Sequence, residues 1–386
     1  MSTQAPPRLL SLDAFRGMVI VLMFLVNVAG RDGALPGWFR AWFPHRGYNG
    51  GLHGNGVADF VFPWFLFIVG CAVPFSMASG RGKGRPYWKQ VLSALRRGVT
   101  IYLLGTLLWC ASIGYDPKRM IDATVFLHWD ILPLIGFGYV MAVLCAGLPR
   151  WGRIGVVTAV LLFKAASLTM IPHPEVGQVV WTDKQSFDQY VKGQLGWFGV
   201  LITQGLAAGS IVVLGSIAVE YIRDQTLPAV ERVQRMMAWG AVLVVASYVL
   251  HRTALPYSKD FLTSSYVMLM AGSGAIVLAG MYWLIDVKQA TTMLFLRVYG
   301  MNAIAVYVLA ELMWKTALVR WNMVTPWGEG SMMIAALKAW LQHFASMVAG
   351  KEAGQVLGAF GIVAAYILFY WAVAAGLYRA KIFVKV

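Results

Sequence analysis

Charge is scarce in this chain. Of 386 residues only 13% are Asp, Glu, Lys or Arg, against 59% hydrophobic, and the mean hydropathy is +0.64. A water-exposed globular domain carries about 25% charged residues, so the composition excludes that class and points to an integral membrane protein. Cysteine is sparse too. Cys71, Cys110 and Cys145 are odd in number, lie inside apolar runs and have no metal-ligand spacing. They read as packed thiols, and neither a disulfide framework nor a metal site is expected. A cleavable-signal pattern is scarce too, and no leader is expected, because in MSTQAPPRLLSLDAFRG the first apolar run begins after Arg16 and leads straight into a span. No repeat, low-complexity tract or appended soluble domain stands out, so residues 1–386 read as one transmembrane domain.

What the chain does have is apolar length. Runs long enough to cross a bilayer, about 20 residues each, fall at 14–30, 57–79, 93–112, 124–147, 152–172, 197–221, 236–251, 262–285, 295–318 and 354–378. They are continuously apolar rather than alternating, which favours helices over barrel strands. The expected fold is all-α, a polytopic transmembrane helix bundle of about ten spanning helices. An amphipathic helix is expected in addition over 331–350, with Ile334, Leu337, Leu341, Phe344 and Val348 on one face and Lys338, Gln342 and Ser346 on another. That pattern suits the outer membrane interface. Sixteen Trp, sixteen Tyr and twenty Phe suit a protein with many headgroup contacts.

The 32 Lys and Arg exceed the 17 Asp and Glu, a net charge of +15. The cations are scattered through short loops, so positive-inside topology accounts for them better than a nucleic-acid partner. With a cytoplasmic N-terminus, GRGKGRPYWK (80–89), LPRWGR (148–153) and YIRDQTLPAVERVQRM (221–236) fall on the cytoplasmic side. The acid-bearing segment 173–196 falls outside, and both termini are expected to be cytoplasmic.

Ionisable groups in or beside spans are costly and usually face a cavity or a partner. Asp13 and Arg16, three apart on one face of the first span, read as an ion pair, with Asn27 about three turns further along the same face. In HGNGVADFVFPWFLFIVG, His53 and Asp59 stand at the door of the second span, as a base with its orienting carboxylate or as a loop residue with a helix-capping acid. Asp130, after His128, is placed to line a polar cavity. Lys259, Ser264 and their neighbours gather at an outer helix start, where the hydroxyls either cap the helix or face substrate. Asn302 and Glu311 lie inside an apolar run and need partners. Arg96 and Arg97 open the third span, as snorkelling anchors or as a phosphate site reached from the cytosol.

Four stretches, RLLSLDAFRGMVIVLMFLVNVAG, HGNGVADFVFPWFLFIVG, LPYSKDFLTSSYVMLMAG and YGMNAIAVYVLAEL, together resemble the heparan-α-glucosaminide N-acetyltransferase family, including its bacterial members. The resemblance runs nearly end to end. It implies a bacterial inner-membrane acyltransferase that takes an acetyl group from cytosolic acetyl-CoA to the amine of glucosamine, or of a terminal glucosaminide, on the opposite face. It also implies a homodimer. Asn27 and Asp59 match family positions. The family's histidine, ten residues before the aspartate, is replaced here by Asn49, with Leu52 where the family has Trp. The catalytic base is then His53 or His45, with Asn27 as oxyanion donor and Asp59 orienting the imidazole. Asn49, Asp130, Lys259, Ser264 and Asn302 are the candidate acceptor-binding residues, and Arg16, Arg96 and Arg97 the candidate coenzyme-binding residues. Direct transfer and a covalent acetyl-histidine remain open routes. An O-acyltransferase and an amino-sugar transporter are the rival classes.

Overall fold

The computed structural model describes residues 9–29, 32–43, 56–114, 116, 129–179, 186–290 and 293–384. Among these residues the chain is an all-α polytopic bundle. Eight helices are long and apolar enough to cross a membrane: α1 (Leu10–Ala29), α2 (Val57–Gly82), α3 (Tyr87–Ser112), then α5 (Arg150–Thr169), α7 (Trp197–Arg223), α8 (Ala229–Thr253), α9 (Ser264–Val287) and α13 (Lys351–Arg379). Between them lie α4 (Ile131–Cys145) and the short α6 (Phe187–Leu195). After α9 come α10 (Leu294–Met301), α11 (Ala303–Leu318) and α12 (Met333–Ala349). A two-stranded antiparallel ribbon, β1 (Asn322–Val324) and β2 (Gly330–Met332), leads into α12.

Local chemistry marks the helix starts. Pro86, Pro149 and Pro228 immediately precede α3, α5 and α8, each with extended backbone. Proline fixes φ and lacks an N–H, so each blocks the upstream helix and lets the next one begin. All three sit at the end of the bundle where α1 begins, here called proximal. At that end Asp286 accepts the N–H groups of Leu10 and Ser11 at 3.0 Å each, satisfying orphan donors at the start of α1.

Membrane helices gain little from burying apolar surface against one another, so close backbone approach matters more. Helices α1 and α10 meet through Gly17 and Gly300: a Cβ on Gly17 would lie 1.8 Å from the Leu296 carbonyl oxygen, and one on Gly300 1.6 Å from that of Asp13. Helix α7 is the most enclosed span and α8 the least, with Val242, Val245, Tyr248 and Val249 on its exposed face. The three cysteines are buried and unpaired.

Two expected spans differ from the fold. Within the run 124–147 the described helix α4 starts at Ile131, where Asp130 caps it with its Oδ1 accepting the Ile131 N–H at 2.8 Å. Its 15 residues reach about 22 Å, short of a bilayer's hydrocarbon core of about 30 Å. The run 295–318 is broken, with α10 and α11 meeting at 77°. Asn302 sits at the break with φ −126° and ψ 32°, its side chain turned to the C-terminal tail.

The 331–350 helix forms, and its apolar face is divided: Ile334, Leu337 and Leu341 are half-buried against the core, while Phe344 and Val348 are exposed. Helix α12 doubles back on α13 after Gly350, and its polar Gln342 and Ser346 lie on glycines. A Cβ on Gly354 would come 2.3 Å from the Ser346 Cα, and one on Gly358 2.5 Å from the Gln342 Cα. The apolar Trp340, Phe344, Met347 and Val348 point outward. Small residues on α13 admit the polar face at backbone contact, and Lys338 reaches Asp32 beyond the end of α1.

Candidate functional site: a proximal cavity beneath a distal polar cluster

A cavity of about 640 Å³ opens at the proximal end. Asp13 and Arg16 from α1, Arg97 and Ile101 from α3, Tyr139 from α4, and Phe383 and Val384 from the tail line it. Leu9 lines it as well, so the start of α1 and the C-terminal tail share one end of the bundle. Arg16 Nη1 lies 3.3 Å from Asp13 Oδ1, and Arg97 donates to the Tyr139 hydroxyl at 3.2 Å. Both guanidiniums line the cavity, and two such forks on one wall suit a polyanion. Arg96, the adjacent residue on α3, is exposed and is not among the lining residues. One position along a helix turns a side chain by about 100°, which separates the two arginines.

Above this cavity lies a second, of about 50 Å³, lined by apolar side chains and the Tyr307 ring. Phe65, Ile135 and Ile304 border both. Met23 and Tyr307 line its wall, and one helical turn beyond them come Asn27 and Glu311. Asn27 Nδ2 donates to Glu311 Oε1 at 3.5 Å, and Lys315 stands 3.7 Å from Glu311 Oε2. This is the partnership the two isolated polar groups required. The Tyr307 hydroxyl is within electrostatic reach of both Glu311 and Asp130.

A further cluster occupies the distal end. Asp59, in the first turn of α2, is 6% exposed. Its Oδ2 accepts the Gly56 N–H at 3.2 Å, and its Oδ1 lies 3.7 Å from the Lys259 ammonium. Lys259 also donates to the Ala58 carbonyl at 3.1 Å, and the Tyr266 hydroxyl donates to the carbonyl of Asp59. Asp59 thus caps its helix, as one of the two sequence readings has it. Burial raises the carboxyl of nearby Asp260 above its ordinary range, with Asp59 adding to the rise and Lys259 and Lys192 opposing it. Burial, with the positive charge of Lys164 beside it, lowers Lys192 to about 8.

His45, Asn49, His53 and His128 lie outside the described residues. Ser264 is buried at the start of α9 and donates to the Leu161 carbonyl at 2.6 Å, while Thr263 accepts the Ser258 N–H at 3.1 Å. Asn302 stands at the proximal end, where its Nδ2 donates to the Ile382 carbonyl and its Oδ1 accepts the Val384 N–H, both at 3.0 Å. Asn302 and Glu311 therefore find different partners, the C-terminal tail for one and Asn27 for the other.

The sequence reading passed over Lys164. It is 2% exposed, on α5, paired with Asp188 of α6 and donating to the Thr203 carbonyl at 2.7 Å. Ser167 donates to the same carboxylate at 3.0 Å. A lone lysine inside the apolar run 152–172 was the available signal, since such a charge demands a partner. Trp129, Trp197 and Tyr102 form an aromatic group, with Trp197 Nε1 donating to the Tyr102 hydroxyl at 3.1 Å.

Together these features define a polytopic α-helical membrane protein with a basic cavity at one end, a polar cluster towards the other and an apolar constriction between them. Residues 8–113 match the family model described as a domain of unknown function, DUF5009. The chain is 26% identical over 383 aligned residues to the heparan-alpha-glucosaminide N-acetyltransferase of Mus musculus, covering 82% of this chain and 55% of that protein. It is 39% identical over 116 residues to the Homo sapiens enzyme of the same name, covering 27% of this chain and 16% of that one. The chain thus spans about half the length of the mouse enzyme. With the motifs quoted above, these matches bear out the family-level resemblance to the heparan-α-glucosaminide N-acetyltransferases.

Proposed function

We propose that the protein is a transmembrane acyltransferase that moves an acetyl group from acetyl-CoA, bound at the proximal end, to the amine of glucosamine or of a terminal glucosaminide at the distal end. The names of its relatives support an acetyltransferase. The observation that carries the reading is the alignment of the two cavities, which run from Arg16 and Arg97 through Phe65, Ile135 and Ile304 to the level of Met23 and Tyr307. Arg16 and Asn27 are eleven residues apart on α1, or about 16 Å. That is a span comparable with an extended pantetheine arm.

The basic loops 80–89, 148–153 and 221–236 all follow spans that end proximally, which supports a cytosolic proximal face in a bacterial inner membrane. In this reading Arg16 and Arg97 hold the coenzyme phosphates. His53, or alternatively His45, takes the proton from the acceptor amine as nitrogen attacks the thioester carbonyl. The new bond is C–N, the C–S bond breaks, and the sulfur leaves as thiolate to be protonated. Asn27, oriented by Glu311, donates to the developing oxyanion. A covalent acetyl-histidine route uses the same groups. Asn49, Asp130 and Lys259 contribute to the acceptor side. A homodimer follows from the family resemblance alone.

The broken span at Asn302 favours one rival, because discontinuous helices are a feature of transporters. Purified protein in nanodiscs with labelled acetyl-CoA and a panel of amino sugars separates the two. Acetylated amino sugar that is lost in Asn27→Ala and in one of His53→Ala or His45→Ala supports the enzyme. Amino-sugar movement across proteoliposomes without acetylation overturns it, and product on hydroxyls alone reassigns it as an O-acyltransferase.

A further inference from the structure

Phe65 of α2, Ile135 of α4 and Ile304 of α11 are the side chains common to the two cavities. They mark where the basic cavity borders the chamber that leads towards the level of Asn27. The chamber above the collar holds about 50 Å³. At about 10–15 Å³ per water-sized occupant, that is room for roughly four heavy atoms. An acetyl thioester head has that number: methyl, carbonyl carbon, oxygen and sulfur. The walls have little room to yield, since Val19, Ile20, Phe62 and Leu132 are buried and packed. Apart from the Tyr307 hydroxyl they offer no polar group, so a charged head would be desolvated there without compensation.

We propose that the collar of Phe65, Ile135 and Ile304, with the apolar chamber above it, is an acyl-sizing site that admits two-carbon acyl groups and excludes longer or branched ones. The proposal rests on the donor reading above and adds to it the residues that set acyl length. Ile135 is fully buried, whereas Phe65 and Ile304 are half-buried and can be trimmed with less disturbance.

The test measures kcat/KM of the full chain in nanodiscs with acetyl-, butyryl- and hexanoyl-CoA and one amino-sugar acceptor. One methylene in a tight apolar pocket changes selectivity by about tenfold or more. Wild type is expected to disfavour butyryl-CoA at least tenfold, and Phe65→Ala to raise the butyryl-to-acetyl ratio by tenfold or more. Ile304→Val, the milder change, should move the ratio the same way by a few fold, and it carries the test if Phe65→Ala does not fold. A butyryl-to-acetyl ratio that stays at the wild-type value in a folded variant overturns the sizing site and leaves the donor reading standing. Absence of transfer from every acyl-CoA overturns both.

Discussion

Replacing Asp188 by Asn strands a cation in the protein interior. Lys164 and Asp188 are 2% and 1% exposed, and the pair ties α5 to α6 just before α7. The ammonium donates to the carboxylate and to the Thr203 carbonyl, and the carboxylate also accepts from Ser167. Removing one charge of such a pair costs about 3–5 kcal/mol, because the survivor stays desolvated without its counter-charge. Asp188→Asn, Asp188→Leu and Lys164→Met should each cost that much. Asp188→Leu combined with Lys164→Met should lie within about 1 kcal/mol of wild type, since replacing both partners by apolar groups is often neutral. The coupling in a double-mutant cycle should therefore be at least about 3 kcal/mol, or roughly 150-fold in the unfolding constant. SDS-titrated unfolding in mixed micelles, followed by tryptophan fluorescence, measures it. Single variants costing under about 1 kcal/mol, or additive effects in the double variant, would refute the argument that this pair is desolvated.

Three other outcomes are expected. Arg97→Ala should raise KM for acetyl-CoA about tenfold or more, from the loss of a charge-assisted hydrogen bond worth roughly 1.5–3 kcal/mol, while Arg96→Ala should stay within about twofold; equal effects in steady-state kinetics would contradict the separation of the two side chains. Asn27→Ala should lower kcat about 10²- to 10³-fold with little change in KM for acetyl-CoA, and an undiminished kcat would remove Asn27 from the oxyanion role. Lys192 has a folded-state value of about 8, below its unfolded 10.5. Charged Lys192 therefore penalises the folded state below pH 8, and the penalty fades as pH rises towards 10.5, where the unfolded chain alone still holds the proton. Lys192→Met should stabilise the protein at pH 7, with the gain shrinking above pH 8; a melting-temperature difference that does not vary with pH would count against the shift.

The membrane class, eight of the ten expected spans and the family resemblance were legible in the sequence, because the requirement for about 20 continuous apolar residues leaves a mark in linear order. So were the need of Asn302 and Glu311 for partners and the packed state of the three cysteines, since an isolated polar group in an apolar run announces a neighbour without naming it. Which neighbour it finds is a property of packing. Asn27 meets Glu311, 284 positions away, only because α11 runs beside α1 after the break at Asn302. The break itself had no signal in hydropathy, as residues on both sides of Asn302 are apolar and the cause is a hydrogen-bonded tail 80 positions further on. Likewise Arg96 and Arg97 are indistinguishable as text, and the 100° turn between them, set against the position of α4, brings only Arg97 to the cavity. Composition determined the solvent this protein folds in. Tertiary packing decided which of its few polar groups meet, because those contacts join residues far apart in the chain whose pairing carries no local period.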